Sequence, residues 1–230
     1  MTKKQTFVLV PGAWCGAWAW RRVVPLLENG GNMIYPVTLT GLGDRVHLAT
    51  PQVGIETAIQ DVVNTIVYEG LDDVVLAGHS FAGKVVAAVA DRMPERIGTL
   101  LFVDAYRPAK VRTPQGDFSQ EGWPTLPDGW RIPLTEEILA GIGKDIQGAD
   151  KEWMMSKVTP WLMRYAGDPV TLSDKWTSAK KAYILCTGGG DDVQQILKGR
   201  LDGEHRVIES GHWPMITKPV ELAQAMLELA

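Results

Sequence analysis

The chain has 230 residues, of which 45% are hydrophobic and 22% charged, and its formal net charge is −4. This length and apolar content predict one large domain with a single core rather than two small domains. The acidic balance, without any basic run, excludes the electrostatic pattern of a nucleic-acid or anionic-membrane binder, so we expect a small neutral or aromatic ligand.

Two cysteines, Cys15 and Cys186, lie far apart and lack CxxC or Cys/His spacing. They are therefore predicted to be small buried apolar residues rather than part of a disulfide framework or a zinc site. The apolar run before Pro11 is too short for a signal peptide or a membrane span, so we expect a cytoplasmic protein. The sequence does not define an assembly, and a homodimer is compatible with it.

Apolar runs alternate with helical patterns over the first hundred residues. The strand-like runs are TFVLVPG, MIYPVTL, DDVVLAG and GTLLFVDAY, and the helix-like segments between them are GAWAWRRVVPLLENGG, GIETAIQDVVNTIVYEGL and FAGKVVAAVADRMPERI. The second of these helices places one apolar stripe on one face: Ile55, Ala58, Ile59, Val62, Val63 and Ile66. The alternation resumes near the C-terminus with KAYILCTGGG, DDVQQILKGR, HRVIES and KPVELAQAMLELA. Strands that are apolar throughout predict an α/β fold with a mostly parallel sheet covered by helices on both faces.

The alternation fails between these two halves. A stretch of about seventy residues is rich in Pro, Gly and Trp, with helices predicted at 135–143 and 150–164. Its tryptophans are Trp123, Trp130, Trp153, Trp161 and Trp176. Because a structureless loop of that length is implausible in a compact domain, we interpret 107–176 as an inserted cap over the carboxyl edge of the sheet. Residues 1–106 and 177–230 then form the core.

One short stretch carries a nucleophile pattern. VVLAGHSFAG predicts a strand, a sharp turn and a helix with Ser80 at the corner, the arrangement known as a nucleophile elbow. The usual motif is G-x-S-x-G, and here Ala82 stands in the last position with Gly83 after it. The alternative is a serine that only caps the helix.

A serine nucleophile needs a base, and four histidines compete for that role. His212 is favoured, because SGHWPM follows the last strand and precedes the last helix, where a loop returns its imidazole to the serine. His79 adjoins the serine and should point elsewhere, and His47 and His205 are predicted to be solvated or structural.

The acid that orients the imidazole has two candidate positions. Asp104 follows the strand after the nucleophile, and Asp191 and Asp192 follow the next one. Asp191 also suits the first turn of a helix, whereas an acid at the end of so apolar a strand as that of Asp104 is costly without a partner.

The first loop and the elbow supply the remaining parts. Backbone N–H groups of Phe81 and Ala13 are predicted to form an oxyanion hole, with Gly12 permitting close approach. Gly12, Trp14 and Trp213 are predicted to line the substrate pocket. Together with the cap tryptophans, the two indoles would make it apolar and aromatic, suiting a small aryl or alkyl acyl group. The predicted reaction is hydrolysis of small esters by Ser80, without a metal or organic cofactor.

Segments along nearly the whole chain resemble the α/β-hydrolase superfamily, within it the group of plant methyl esterases, hydroxynitrile lyases and their bacterial esterase relatives. They are FVLVPGAWCGAWAWRRVVPLL, LTGLGDRVHL, DVVNTIVYEGLDDVVLAGHSFAG, LLFVDAYRP and SGHWPMITKPVELAQAMLELA. The family usually has histidine at the position of Pro11 and often at that of Cys15. Bacterial relatives carry an aspartate like Asp104, whereas plant members use a later one, so the resemblance favours Asp104 over Asp191.

The resemblance implies a carboxylesterase-type serine hydrolase. Lyases of the group carry threonine at the position of Gly12 and lysine directly after the catalytic histidine, where this chain has Trp213, so hydrolysis is favoured. The alternatives are a hydroxynitrile lyase, a lactonase, a C–C bond-cleaving enzyme on the same triad, or a non-catalytic ligand receptor on a hydrolase scaffold.

Overall fold

The computed structural model describes residues 4–105, 123–188 and 201–230. Its strands are β1 (Thr6–Val10), β2 (Met33–Pro36), β3 (Val74–His79), β4 (Ile97–Val103), β5 (Arg131–Ile132), β6 (Trp161–Leu162), β7 (Lys180–Cys186) and β8 (Glu204–Ile208). Its α-helices are α1 (Val24–Glu28), α2 (Ile55–Tyr68), α3 (Ala82–Arg92), α4 (Glu136–Ile142), α5 (Gly148–Met155), α6 (Met163–Gly167), α7 (Pro214–Thr217) and α8 (Pro219–Leu229).

Six strands form one sheet in the order β2-β1-β3-β4-β7-β8. Every neighbouring pair in this sheet is parallel, which confirms the predicted α/β architecture. Because parallel strands all end at the same edge, the segments that follow β1, β3, β4 and β8 meet there. Ligands of open α/β sheets bind at this edge.

Burial explains why these segments adopt these elements. Every residue of β1 and of β3 is buried, as expected of strands covered on both faces. Helix α2 buries Ile55, Ala58, Ile59, Val62 and Ile66, whereas Val63 of the predicted stripe is only partly buried. Helix α3 is buried from Ala82 to Ala90, so it is a core helix rather than a surface one.

Two predicted helices differ from the structure. The helix predicted over residues 16–31 is a 3₁₀ turn (Ala17–Arg22) followed by the short α1, in whose first turn Pro25 cannot donate a backbone hydrogen bond. The helix predicted at 150–164 ends at Met155. Pro160 disfavours the α conformation of Thr159, whose N–H instead donates to the Trp14 carbonyl at 3.0 Å. The predicted helix DDVQQILKGR lies outside the described residues.

The segment assigned to the cap has its own two-stranded antiparallel ribbon, β5 with β6. Helix α5 docks on the first 3₁₀ turn through Trp153, whose ring meets Trp18 edge-on at 5.3 Å and lies 4.8 Å from the Arg22 guanidinium carbon. Trp161 and Trp176 are buried, so part of the tryptophan content packs the interior. Within the described ranges, no helix is long and apolar enough to cross a membrane.

Candidate active site

Ser80 lies at the corner between β3 and α3. Its φ of 57° is a left-handed conformation, and its N–H donates to the Val103 carbonyl at 3.2 Å. A side chain at Gly78 would place Cβ 2.8 Å from the Ala82 carbonyl oxygen and equally close to Val86. The tight turn therefore requires glycine at 78 and holds Ser80 at the carboxyl end of β3, as the elbow pattern predicts.

His212 follows β8 and reaches Ser80 across the sheet edge. Its Nε2 lies 2.8 Å from Ser80 Oγ, and its Nδ1 lies 2.6 Å from Asp104 Oδ2. A carboxylate only accepts hydrogen bonds, so Nδ1 carries the proton and Nε2 accepts from the serine hydroxyl. The structure therefore brings Ser80, His212 and Asp104 into one hydrogen-bonded chain.

Asp104 follows β4 and is anchored by the next strand. Its N–H donates to the Ile184 carbonyl at 2.7 Å, and its Oδ1 accepts the Cys186 N–H at 3.1 Å. The other carboxylate oxygen is left for His212. The alternative acid, Asp191, lies outside the described residues, as does Asp192.

The loop after β1 approaches the serine from the opposite side. A Cβ at Gly12 would lie 2.5 Å from His79 Nδ1 and 3.0 Å from Ser80 Cβ. The Cys15 N–H donates to the Gly12 carbonyl at 3.3 Å, closing a turn in which Trp14 has a φ of 63°. No side chain fits at Gly12 without moving its neighbours, which explains the close approach of this loop.

Two backbone donors beside the serine remain unused by the described part of the chain. Neither the Ala13 N–H nor the Phe81 N–H donates a hydrogen bond to any described residue. Both residues are buried, where most backbone N–H groups have a partner, and the described residues supply none for these two amides. This is the property expected of oxyanion-hole donors.

Backbone strain is concentrated at this site. Four non-glycine residues have a positive φ in the described ranges: Trp14, Asp73, Ser80 and Asp104. Three of them belong to the cluster just described. Such conformations cost free energy and persist where the surroundings enforce them, which is common at active sites.

The other histidines lie where the sequence predicts. His47 and His205 are exposed. His79 is buried, and its Nε2 donates to the His212 carbonyl at 2.6 Å. Burial, reinforced by the neighbouring His212, holds the pKa of His79 well below its usual value, so this ring is neutral.

Aromatic side chains of the first loop, the elbow and the cap segment contact one another. The Trp14 ring lies 5.7 Å from that of Trp161 and 6.1 Å from that of Trp123, and the Phe81 ring lies 5.1 Å from that of Trp161. On the histidine side, the buried Trp213 ring meets His212 edge-on at 5.2 Å. Most of these rings are buried, and the pocket role predicted for Trp14 and Trp213 stays a prediction.

The cysteines do not compete with Ser80 as nucleophiles. Both are free and buried, as predicted. Burial raises the pKa of the Cys15 thiol to about 12, and burial together with Asp104 raises the pKa of Cys186. Neither forms the thiolate at neutral pH. Groups of three or more His, Cys, Asp or Glu that could hold a metal ion are absent from the described ranges.

Sequence reasoning missed one group at this site. Asp145, just after α4, accepts the Gly211 N–H at 2.8 Å and the Thr217 hydroxyl at 2.7 Å. Gly211 precedes His212 and Thr217 follows it. The two residues are 66 and 72 positions away from Asp145 in the chain. No local motif signals such a contact.

Comparison with known proteins agrees with this geometry. A carbendazim-hydrolysing esterase of Nocardioides sp. (strain SG-4G) is 30% identical, and the alignment covers 97% of this chain and 98% of the relative. Methylesterase 2 of Arabidopsis thaliana is 35% identical, with 99% and 97% covered. The crystal structure of polyneuridine aldehyde esterase superposes with a TM-score of 0.79 at 21% identity, covering 98% of this chain and 99% of the other. The family model described as the alpha/beta hydrolase family matches residues 7–225, and the chain belongs to that family.

Proposed function

We propose that the protein is a carboxylesterase-type serine hydrolase that cleaves small carboxylic esters, with aryl or methyl esters as the substrate class. The observation that carries the proposal is the hydrogen-bonded chain from Ser80 Oγ through His212 to Asp104. The names of the two curated relatives, an esterase and a methylesterase, support the same reaction class.

In the proposed mechanism, Ser80 Oγ attacks the ester carbonyl carbon while His212 Nε2 takes the hydroxyl proton. The resulting oxyanion accepts hydrogen bonds from the N–H groups of Ala13 and Phe81. His212 then gives its proton to the leaving alcohol as the C–O bond breaks. Water attacks the acyl-serine with the same proton transfers and releases the acid, while Asp104 stabilises the imidazolium and its tautomer. These steps need no metal or cofactor.

The packing around Gly12 favours hydrolysis over cyanohydrin cleavage. Related lyases carry threonine at this position, and here even a methyl group would lie 2.5 Å from His79 Nδ1. The position after His212 holds the buried indole of Trp213 rather than a lysine. Without a lysine at this position, the site has no cation there to stabilise cyanide as a leaving group. It therefore suits the hydrolysis of a small neutral ester better than the cleavage of a cyanohydrin.

We further propose that residues 107–176 act as a cap on a core of residues 1–106 and 177–230. The separate β5–β6 ribbon and the docking of Trp153 on Trp18 support this division. A small-molecule substrate, a cytoplasmic location and an assembly compatible with a homodimer complete the proposal. The two free, buried cysteines are consistent with a reducing compartment.

The test is steady-state hydrolysis of aryl acetates and aromatic methyl esters by the wild type and Ser80→Ala, with the products identified. We expect an acid and an alcohol from the wild type, and a loss of at least about 10³-fold in kcat for the variant, because the nucleophile is gone. Release of an aldehyde, turnover that survives the substitution, or tight ligand binding without turnover would contradict the proposal.

A further inference from the structure

The loop that carries His212 is held mainly by groups outside itself. The His212 N–H donates to the Ile142 carbonyl at 3.0 Å, and its carbonyl accepts from His79 at 2.6 Å. Ile142 ends α4, so one of these two backbone anchors belongs to the cap segment. The position of the imidazole therefore depends on how the cap sits on the core.

Asp145, three residues after Ile142, accepts hydrogen bonds from residues on both sides of His212 in the chain. Its Oδ2 accepts the Gly211 N–H at 2.8 Å and the Thr217 hydroxyl at 2.7 Å, and the Ser210 hydroxyl lies 3.3 Å away. Charge-assisted hydrogen bonds of this length are stronger than neutral ones. One carboxylate thus ties the residue before His212 to the helix after it.

The absence of a side chain at Gly211 makes this contact feasible. A Cβ there would lie 1.9 Å from Asp145 Oδ1, inside any allowed separation. On the other side of the loop, the Gly188 N–H donates to the Ser210 carbonyl at 2.8 Å. Hydrogen bonds therefore hold the His212 loop on two sides, at the carboxyl edge of the sheet and at the turn after α4.

We propose that Asp145 is a positioning residue for the reaction: it fixes the backbone on both sides of His212 so that Nε2 and Nδ1 reach Ser80 and Asp104 together. This inference rests on the proposed esterase function and adds that the cap segment contributes to catalytic competence. It does not require Asp145 to contact substrate.

Small displacements of His212 should have large kinetic effects. A shift of about 1 Å in a catalytic group costs on the order of 10²-fold in rate. Asp145→Ala is therefore expected to lower kcat by about 10- to 100-fold while KM stays within about threefold, because substrate contacts are untouched. Asp145→Asn keeps one acceptor oxygen for Gly211 and should recover part of the lost rate.

Two readouts separate positioning from general loss of structure. A positioning role lowers kcat and leaves KM nearly unchanged, and the conservative variant Asp145→Asn restores part of the rate.

The matched control is Glu136→Ala. Glu136 is also a carboxylate of this segment, and its exposed ion pair with Lys151 does not involve the His212 loop. We expect kcat and KM equal to those of the wild type. If Asp145→Ala does not fold, Thr217→Val tests the inference instead. This variant removes one hydrogen-bond donor to Asp145 and leaves the shape of the side chain nearly unchanged. A kcat of Thr217→Val equal to that of the wild type would then overturn the inference.

Labelling by an aryl fluorophosphonate distinguishes this inference from the esterase proposal. Ser80 Oγ bonds to phosphorus, fluoride leaves, and His212 accepts the hydroxyl proton, so the rate measured by intact mass needs no ester turnover. We expect labelling of Asp145→Ala to slow in parallel with kcat. Equal rates for the variant and the wild type would overturn the inference alone, whereas a wild type that is not labelled at Ser80 would overturn both.

Discussion

Asp104 makes two hydrogen bonds with different purposes. Oδ1 accepts the Cys186 N–H, which anchors the carboxylate to β7, and Oδ2 accepts the proton on His212 Nδ1. Its left-handed φ of 40° aims the side chain away from the strand and toward the histidine. The carboxylate therefore fixes the tautomer in which His212 Nε2 accepts the proton of Ser80.

Replacing that carboxylate by an amide should leave the fold intact and disturb the tautomer. We expect Asp104→Asn to lower kcat by about 10³- to 10⁴-fold, because an amide N–H facing Nδ1 favours the imidazole tautomer protonated at Nε2. Steady-state kinetics with an aryl acetate measure this, and circular dichroism checks folding.

The matched control is Asp191→Asn, which changes the alternative acid. We expect its kcat to stay close to that of the wild type. A large loss in Asp191→Asn together with an active Asp104→Asn would transfer the role of the acid to Asp191.

At the scale of elements, the junction of β3 with α3 depends on the size of residue 78. In Gly78→Ala the new methyl group would lie 2.8 Å from the Ala82 carbonyl oxygen, which is backbone and cannot rotate away. We expect the free energy of unfolding to fall by about 1–3 kcal/mol, typical of overpacking, and kcat to fall as Ser80 shifts. Urea titration and ester kinetics measure the two effects.

Gly141→Ala provides the control for that substitution. Gly141 lies in α4, and nothing stands within 4 Å of the position that a Cβ would take. Alanine in a helix is expected to stabilise by about 0.5–1 kcal/mol relative to glycine, without effect on kcat. Equal behaviour of the two variants would contradict a packing role for Gly78.

Elements were predictable where the local pattern and the tertiary context agree. The apolar runs of β1 and β3 are buried on both faces, so their sequences already carry the signal of a parallel sheet. The helix predicted over 150–164 was wrong between Met155, where α5 ends, and Met163, where α6 begins. There the tertiary bond from Thr159 to Trp14, together with Pro160, outweighs the apolar spacing.

At the scale of the whole molecule, the site joins segments that are far apart in the chain. The contact between Ser80 and His212 could be predicted, because each residue lies in a recognisable turn beside a strand. The preference for Asp104 over Asp191 came from the resemblance, because both follow strands that end at the same sheet edge. The contact of Asp104 with His212 is consistent with this preference, and Asp191 lies outside the described residues. Asp145 could not be predicted at all, since its contacts exist only when the segment after α4 packs on the His212 loop.

The buried His79 links this assembly to the stability of the whole protein. Its pKa is lowered in the folded state by burial and by His212, whereas in the unfolded chain it returns to about 6.5. Below that pH the unfolded chain binds a proton at residue 79 that the folded protein does not. Stability is therefore complete above the unfolded pKa and is lost as pH falls below it.

We expect the free energy of unfolding of the wild type to fall with decreasing pH more steeply than that of His79→Gln, by up to about 1.4 kcal/mol per pH unit between pH 6.5 and 5, the value for one proton. Glutamine keeps an N–H donor for the His212 carbonyl, so the comparison isolates the titration. His205→Gln, at an exposed histidine of β8, should follow the wild-type curve. Urea titrations from pH 5 to 8 measure all three proteins, and parallel curves for the wild type and His79→Gln would mean that the buried ring is protonated in the folded state.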